Sequence, residues 1–269
     1  MPKSTKYIAK EADRDGRINY SAQDDAVWHD LVLQQQPNVN RFAADEYLAG
    51  QRKLDLPKDR VPQCVEVSKQ LRELTGWRVQ PVPALIGFAQ FFAMLADKTF
   101  PAASFIRSRE DFDYIEEPDI FHEIYGHTPL LTDKRFAKFS EMIGKTGLEC
   151  EKADYSWLIR LYWFTIEFGL IRQGNEIKAL GSGLASSPTE LIYSIEDETA
   201  TRKPFDVIDI LRTPYRIDIH QPIYFVLDDA DQLFEASDRK LLEDIHTAQR
   251  LGLHAPAYPP KQPLEQKAS

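Results

Sequence analysis

The chain has 269 residues, 43% of them hydrophobic and 11% aromatic, which is enough apolar material for one buried core without disulfides or structural metals. Its formal net charge of -9 argues against a nucleic-acid binder, because neutralising phosphates requires clustered lysine and arginine. The N-terminus lacks an apolar run and no uncharged stretch reaches membrane-spanning length, so we expect neither a secretory signal nor a membrane anchor. The two cysteines, Cys64 and Cys150, form no CxxC pair, and a reducing cytoplasm fits them.

The N-terminal half is patterned for helices, with apolar residues at helical spacing, capping groups before them and glycine or proline after them. Helices are predicted after Ser21–Asp25, from Ala43 into the fifties, from Pro62 to Thr75-Gly76, over the apolar run 85–95, and from Thr132-Asp133 to Gly144. We expect one domain over residues 24–252, between a polar N-terminal segment (1–23) and a proline-rich C-terminal tail (253–269).

The C-terminal half adds the first pattern typical of strands. Polar and apolar residues alternate over 215–220, and an apolar run follows over 222–226, so we predict a small ribbon of two short strands. Residues 229–250 are charged on one face and apolar on the other, which predicts a single amphipathic helix.

The segment Glu117–His127 holds two of the six histidines beside three carboxylates. Pro118 suits the first position of a helix, where its missing N–H costs nothing. His122 and His127 are five residues apart, however, and at ~100° per residue a regular helix would point them roughly 140° apart. We expect Gly126 to end the helix in a left-handed turn, so that His127 turns back towards His122.

Glu167 is the candidate third ligand, because it lies in an otherwise apolar and aromatic helical run, 161–170. A carboxylate there is costly to bury unless it is paired or binds a cation. An ion pair with Arg107, Arg160 or Arg172 is the alternative, and the two histidines favour the metal. Two imidazoles and one carboxylate form the facial triad of non-haem iron oxygenases, but they also serve catalytic zinc. The surrounding aromatic residues favour iron and an aromatic substrate; they are Tyr125, Tyr162, Trp163, Phe164 and Phe168.

Three segments in this order, EPDIFHEIYGH (117–127), YWFTIEFGL (162–170) and IKALGSGLASS (177–187), make the chain resemble the tetrahydropterin-dependent aromatic amino acid hydroxylases. Within that family it is most similar to the short bacterial phenylalanine 4-hydroxylases. The resemblance, over about residues 28–225, implies a mainly α, multihelical catalytic domain with a few short β-strands. It also implies a monooxygenase that uses iron(II), O2 and a tetrahydropterin (tetrahydrobiopterin or a bacterial equivalent) to convert L-phenylalanine to L-tyrosine.

The same resemblance implies roles for individual residues. The metal ligands are His122, His127 and Glu167. The pterin side comprises Phe91, which stacks on the cofactor, with Ile86, Glu123 and Tyr162. On the substrate side Arg107 holds the carboxylate and Asp119 fixes Arg107, while the cavity is completed by Tyr114, Trp163, Phe168, Gly183 and Ser186. No catalytic residue is implied beyond the iron site.

Departures from the animal members qualify these expectations. Ile115-Glu116 stands where those members have Thr-Pro, beside the substrate pocket. A chain of 269 residues has room for neither their regulatory domain nor their tetramerisation helix, so we expect a monomer or dimer without a separate phenylalanine sensor. A functional link to a pterin-recycling dehydratase is implied, in phenylalanine catabolism or tyrosine biosynthesis.

Other functions remain open at this point. A tyrosine- or tryptophan-hydroxylating member of the family is the nearest alternative, although Trp163 disfavours the tryptophan type. A zinc hydrolase could use the same three ligands. An inactive binding module that keeps the fold is a third alternative, but it would have no use for Glu167 in an aromatic run.

Overall fold

The computed structural model describes residues 6–83, 86–115 and 117–260, and this part of the chain is mainly helical, which confirms the predicted fold class. The α-helices are α1 (Ala22–Phe42), α2 (Asp45–Leu54), α3 (Cys64–Leu74), α4 (Phe88–Ala96), α5 (Thr128–Leu131), α6 (Lys134–Glu149), α7 (Tyr155–Tyr162), α8 (Ser182–Ser186), α9 (Pro188–Glu196), α10 (Val207–Arg212), α11 (Asp231–Ala236) and α12 (Leu241–Leu251). One 3-10 turn (Arg109–Asp111) and two π-helical segments (Phe121–His127 and Trp163–Glu167) complete them.

Helix α1 begins where its capping residues predict. The Ser21 hydroxyl accepts from the Asp24 N–H, and the Asp24 carboxylate accepts from the Ser21 N–H, a reciprocal capping box. The helix buries Trp28, whose ring meets the Phe121 ring edge-on at 5.4 Å. Because Phe121 opens the first π-helical segment, this contact ties the N-terminal helix to the segment that carries the two histidines.

In the described ranges, six short strands form two sheets. The strands are β1 (Arg78–Val82), β2 (Thr99–Ala103), β3 (Leu170–Gln173), β4 (Glu176–Ala179), β5 (Thr201–Pro204) and β6 (Ile223–Leu227). β1 and β2 pair in parallel, and the second sheet has the order β4-β3-β6-β5. β2 leads into the loop that carries Arg107, and the β3–β4 hairpin joins Glu167 to α8.

The predicted ribbon of residues 215–220 and 222–226 is wrong in its first half. Only the second run is a strand, β6, and it pairs in parallel with β3 and β5. Residues 215–220 are irregular because the Gln221 side chain, instead of a neighbouring strand, donates to the carbonyls of Arg216 and Ile219. The Tyr215 ring stacks on Trp163.

The C-terminal charged stretch is two helices, α11 and α12, where the sequence predicted one. The chain leaves the helical region at Lys240, and Arg239 bridges the break by donating twice to Asp244, at 2.8 Å each. Residues 253–260 follow without regular structure, and the rest of the predicted tail, 261–269, lies outside the described residues. The domain boundaries at 23 and 252 stay predictions.

The helix predicted over 85–95 begins later, at Phe88, and Leu85 lies outside the described residues. It is buried on one side only, through Phe92 and Leu95, while Phe88 is exposed. No helix in the described ranges is long and apolar enough to cross a membrane.

Gly144 does not end α6, which continues to Glu149. A Cβ at this position would lie 2.2 Å from the Ala96 nitrogen and 2.7 Å from the Leu95 carbonyl carbon. The glycine is therefore needed for the close approach of α6 to α4, and not for a helix end.

Replacing Gly144 with Ala should lower the free energy of unfolding by about 2 kcal/mol, because overpacking outweighs the ~1 kcal/mol that alanine gains over glycine inside a helix. Urea-induced unfolding measures this. Gly87→Ala is the control, since a Cβ there meets nothing within 4 Å, and its effect should stay below about 1 kcal/mol. Equal effects of the two substitutions would contradict the packing argument.

Candidate metal centre and substrate cavity

The two histidines lie in a π-helical segment, Phe121–His127, that runs directly into α5. The predicted left-handed turn at Gly126 is wrong, because its φ is not positive. In a π-helix each N–H bonds to the carbonyl five residues back, so side chains five apart point nearly the same way. The five-residue spacing of His122 and His127 would separate their side chains on an α-helix, but on a π-helix it brings them to the same face.

Glu167 ends the second π-helical segment and completes a cluster with the histidines. His127 Nε2 lies 3.1 Å from His122 Nε2 and 3.0 Å from Glu167 Oε1, and His122 Nε2 lies 3.7 Å from Glu167 Oε2. Ligand atoms about 2.1 Å from one cation, at right angles, lie about 3 Å from each other. The three side chains therefore fit a metal ion held on one face, with further positions open.

The alternative, a buried ion pair between Glu167 and an arginine, is wrong for all three candidates. Arg107 pairs with Asp119, and Arg172 lies 3.4 Å from the carboxylate of Asp228. Arg160 lies over the Trp157 ring, 4.8 Å from its centroid. Glu167 has the two imidazoles as its partners instead.

The protonation states of the cluster suit a cation. Burial opposes ionisation of Glu167, but the charge and hydrogen bond of His127, with His122 and Ser182, lower the Glu167 pKa to about 2. Burial lowers the pKa of His122 to about 4, although Glu167 acts in the other direction. At neutral pH the set therefore offers an ionised carboxylate and a neutral His122 imidazole, as metal ligation requires.

The tautomer of His122 follows from its contact with Ser186. The Ser186 hydroxyl donates to the Ser182 carbonyl at 3.0 Å, so at 2.9 Å it accepts from His122 Nδ1–H. The proton on Nδ1 leaves the Nε2 lone pair directed at the cluster. Ser186, assigned by resemblance to the substrate cavity, thus also contacts a candidate metal ligand.

Glu123 offers a second carboxylate at this centre, with one oxygen within 4.8 Å of ligand atoms of His122 and His127. Burial, followed by the charges of Glu167 and Asp119, raises the pKa of Glu123 well above its usual range. These effects favour the protonated form, which is a poor cation ligand, so Glu167 is the better third ligand and Glu123 fits a role beside the metal.

Two of the other residues assigned to the pterin, Phe91 and Tyr162, are linked to the cluster by ring contacts. The rings of Phe91 and Tyr162 meet edge-on at 5.4 Å, and the Tyr162 ring is nearly parallel to the His127 imidazole at 6.4 Å. Ile86 is half-buried, two residues before α4. Phe91 is also only half-buried, so part of its ring surface remains accessible to a planar ligand.

Arg107 and Asp119 form a buried, bidentate ion pair. Arg107 Nε and Nη2 donate to the two Asp119 oxygens at 2.8 and 2.9 Å, and the Arg107 backbone N–H adds a third bond at 3.0 Å. Asp119 Oδ1 also accepts from the His122 N–H at 3.1 Å. The carboxylate of Asp119 thereby couples the arginine to the start of the segment that holds the histidines.

The aromatic residues assigned to the substrate side pack against one another as a wall of rings. Trp163 packs against Phe168 at 4.6 Å and stacks on Tyr215 at 4.4 Å. A Cβ at Gly183 would lie 2.9 Å from Phe168 Cζ, so only glycine allows α8 to approach this wall. Tyr114 is 64% exposed, which places it at the surface and not in the buried wall; of its neighbours Ile115-Glu116, Glu116 lies outside the described residues.

Sequence reasoning missed Ser182, although it lies inside one of the quoted motifs. Its hydroxyl donates to the Ile166 carbonyl at 2.9 Å and lies 3.1 Å from Glu167 Oε2 and 3.2 Å from His127 Nε2. A Cβ at Gly181 would lie 2.1 Å from the Glu167 carbonyl oxygen, so the two glycines around Ser182 let α8 press against the metal ligands. The Gly-Ser-Gly pattern was the available signal.

A buried polar chain behind the aromatic wall was also missed. Gln221 Oε1 accepts from the Trp163 ring N–H at 3.2 Å. Glu190 Oε1 in turn accepts from the Gln221 N–H at 2.8 Å and from the Tyr224 hydroxyl at 2.9 Å. These partners are far apart in sequence, and no local pattern indicates them. This series of hydrogen bonds holds the edge of the Trp163 ring in place.

The pH dependence of stability should change when Glu190 is replaced with Gln. Burial raises the pKa of Glu190 to about 7, against the hydrogen bonds from Gln221 and Tyr224, whereas the unfolded chain ionises near 4.5. The folded protein therefore holds the proton longer, and the stability that Glu190 contributes falls as pH rises from about 4.5 to 7. Glutamine keeps the acceptor but has no proton to lose. The free energy of unfolding of E190Q, relative to that of the wild type, should therefore rise by on the order of 3 kcal/mol over this pH window.

Urea unfolding at pH 5, 6, 7 and 8 measures the difference. Glu176→Gln, at an exposed position on β4, is the matched control and should run parallel to the wild type. Parallel curves for E190Q would contradict a raised pKa.

Known proteins of one family resemble this chain in sequence and in fold. A family model described as biopterin-dependent aromatic amino acid hydroxylase matches residues 3–250. Proteins named phenylalanine-4-hydroxylase from Vibrio cholerae and Pseudomonas aeruginosa are each 47% identical, over 96% and 97% of this chain and 89% and 99% of theirs. The apo cold-active phenylalanine hydroxylase of Colwellia psychrerythraea superposes with a TM-score of 0.90 at 49% identity, covering 92% of this chain and 96% of that one. The Chromobacterium violaceum enzyme with bound oxidised Fe(III) gives a TM-score of 0.85 at 35% identity, covering 91% of each chain. The chain therefore belongs to the biopterin-dependent aromatic amino acid hydroxylase family.

Proposed function

We propose that this protein hydroxylates L-phenylalanine at the para position to give L-tyrosine, the activity that the names of its bacterial relatives imply. The observation that carries the proposal is the cluster of His122, His127 and Glu167 in a chain of this family. Bound iron(II), with two electrons from a tetrahydropterin, supplies the activation of O2 that amino acid side chains cannot provide.

Arg107 is proposed to bind the substrate carboxylate. A guanidinium has five N–H donors, and in the described part of the chain two donate to the Asp119 carboxylate and one to the Phe112 carbonyl. The remaining two can form a fork with a carboxylate. Asp119 holds the guanidinium plane in place, so the fork is oriented before the substrate arrives.

The aromatic wall is proposed to hold the substrate ring. Trp163 and Phe168 offer ring faces and edges for an aromatic side chain, and Gly183 leaves room beside them. The Ser186 hydroxyl keeps the His122 imidazole oriented at the border of this cavity. Tyr114, at 64% exposure, is proposed to contribute only at the cavity entrance.

The pterin is proposed to bind on the other side of the metal ligands. Phe91 supplies a half-buried ring for stacking, and Tyr162 supports that ring from the side. Burial and the neighbouring carboxylates favour the protonated form of Glu123, which can donate a hydrogen bond to an acceptor on the pterin as well as accept one. Ile86, in the segment before α4, is proposed to border this region.

A product assay tests the substrate assignment. Purified protein with iron(II), tetrahydrobiopterin and O2 is incubated separately with L-phenylalanine, L-tyrosine and L-tryptophan, and the products are separated chromatographically. We expect tyrosine from phenylalanine as the dominant product. Preferential hydroxylation of tyrosine or tryptophan would overturn the assignment in favour of another specificity within the family.

Metal exchange separates the oxygenase from a hydrolase or an inactive module. After chelation and dialysis, iron(II) should restore both O2 consumption and tyrosine formation, whereas zinc(II) should restore neither. A protein that consumes no O2 with iron and pterin would not be a hydroxylase.

The assembly and setting of the protein are also proposals. We infer a monomer or dimer in the cytoplasm, where free thiols such as the buried Cys64 and Cys150 stay reduced. A pterin-recycling dehydratase is the proposed functional partner, because the oxidised pterin product must be regenerated for further turnover.

A further inference from the structure

A short N-terminal segment, Lys6–Ile8, packs on the loop that carries Arg107. The Tyr7 ring stacks on the Phe105 ring, with centroids 4.7 Å apart and planes 7° from parallel. Phe105 is 2% exposed and lies two residues before Arg107. The stack therefore fixes the loop just ahead of the arginine.

The Tyr7 hydroxyl fixes the same loop just after the arginine. It accepts a hydrogen bond from the Ser108 backbone N–H at 3.1 Å and donates one to the Asp111 carboxylate. Lys6 Nζ donates to the same carboxylate at 2.6 Å. Tyr7 is thus bonded to the residue that follows Arg107 and to the 3-10 turn beyond it.

The loop needs such contacts because it lies outside the sheets. β2 ends at Ala103, so neither the Arg107 nor the Ser108 N–H has a strand partner. The Asp119 carboxylate accepts the first of these N–H groups and the Tyr7 hydroxyl accepts the second. Two side chains from distant parts of the sequence thus bind the N–H groups of the two peptide groups that flank the Arg107 Cα, in place of a neighbouring strand.

We propose that Tyr7 is a positioning residue for substrate binding: it acts through the Arg107 loop and sets the direction of the guanidinium fork. The inference rests on the proposed role of Arg107 as the carboxylate-binding residue. Asp119 holds the guanidinium itself, and Tyr7 holds the backbone from which it projects. A charged, bidentate hydrogen bond depends on direction, so a small rotation of this loop weakens carboxylate binding.

Tyr7→Phe tests the proposal, because it keeps the stack on Phe105 and removes only the hydroxyl. We expect the KM for L-phenylalanine to rise roughly threefold to tenfold, the effect of one hydrogen bond, while kcat stays within about twofold. Tyr7→Ala, which also removes the stack, should raise KM further. Tyr193→Phe removes a remote hydroxyl, bonded only weakly to Thr199 at 3.4 Å, and should match the wild type.

A binding measurement separates positioning from general loosening of the fold. Calorimetric titration of the iron-loaded protein under anaerobic conditions compares L-phenylalanine with L-phenylalaninamide, which lacks the carboxylate. Y7F should weaken binding of the acid and leave binding of the amide unchanged. Equal weakening of both ligands, or an unchanged KM, would overturn the proposal.

The wild type, assayed in parallel, keeps the two hypotheses distinguishable. If it forms no tyrosine, the proposed function fails. If it forms tyrosine and Y7F has the same KM, only the role of Tyr7 fails.

Discussion

Replacing Glu167 with Ala is expected to weaken iron binding by more than about 100-fold and to abolish tyrosine formation. The substitution removes the carboxylate from the cluster and leaves two imidazoles to hold the cation. Losing even an indirect contact to a metal ligand commonly costs 10- to about 100-fold in affinity, so losing the ligand itself costs more. Iron content after dialysis and a single-turnover product assay measure the two effects.

Glu176→Ala is the control for this experiment. Glu176 is an exposed glutamate on β4, paired only with Lys178 at the surface, so its loss should change neither iron content nor activity. Full activity in E167A would show that Glu167 is not a ligand. Retained iron with lost activity would instead indicate that Glu123 replaces it as the third ligand.

Arg107→Lys is expected to raise the KM for L-phenylalanine by roughly 30- to 300-fold, because one ammonium group cannot bond to Asp119 and form a planar fork with a carboxylate at once. The change keeps the positive charge, so the buried Asp119 keeps a counter-ion and the protein should fold. The loss of one or two buried hydrogen bonds should lower the free energy of unfolding by about 1–3 kcal/mol.

The neighbouring Arg109 supplies the control. It pairs with Asp30 at 2.6 Å on the surface, with both side chains more than 40% exposed, and Arg109→Lys should leave KM nearly unchanged. Steady-state kinetics with iron-loaded enzyme and saturating pterin measure both variants. A KM for R107K within threefold of the wild type would contradict the proposed contact with the substrate.

Local patterns in the sequence predicted the elements that depend on nearest neighbours. The capping groups at the start of α1 and the end of α3 before Thr75-Gly76 are confirmed, because the groups that satisfy those helix ends are close in sequence. Gly144 was misinterpreted because its function is a contact with another helix, and a glycine that ends a helix looks the same in sequence.

The candidate metal centre was predicted from residue types, but its backbone was not. A buried carboxylate and two histidines indicated a cation, whereas the five-residue spacing prompted a turn at Gly126 where the structure has a π-helix. Contacts made across long stretches of sequence, such as Gln221 with Trp163 and Tyr7 with Ser108, leave no local periodicity and could not be found in this way.

The π-helical backbone has a consequence for how this site tolerates change in chain length. A π-helical segment corresponds to an α-helix with one extra residue, so deleting one residue between His122 and His127 would return them to the four-residue spacing of an α-helix. The histidines would still share a face, because four residues of an α-helix and five of a π-helix cover nearly the same rotation, whereas removing a second residue would rotate everything beyond it by about 100°. The second π-helical segment, which ends at Glu167, carries the same constraint. The number of residues in these two turns thus specifies the metal centre as much as their identities do.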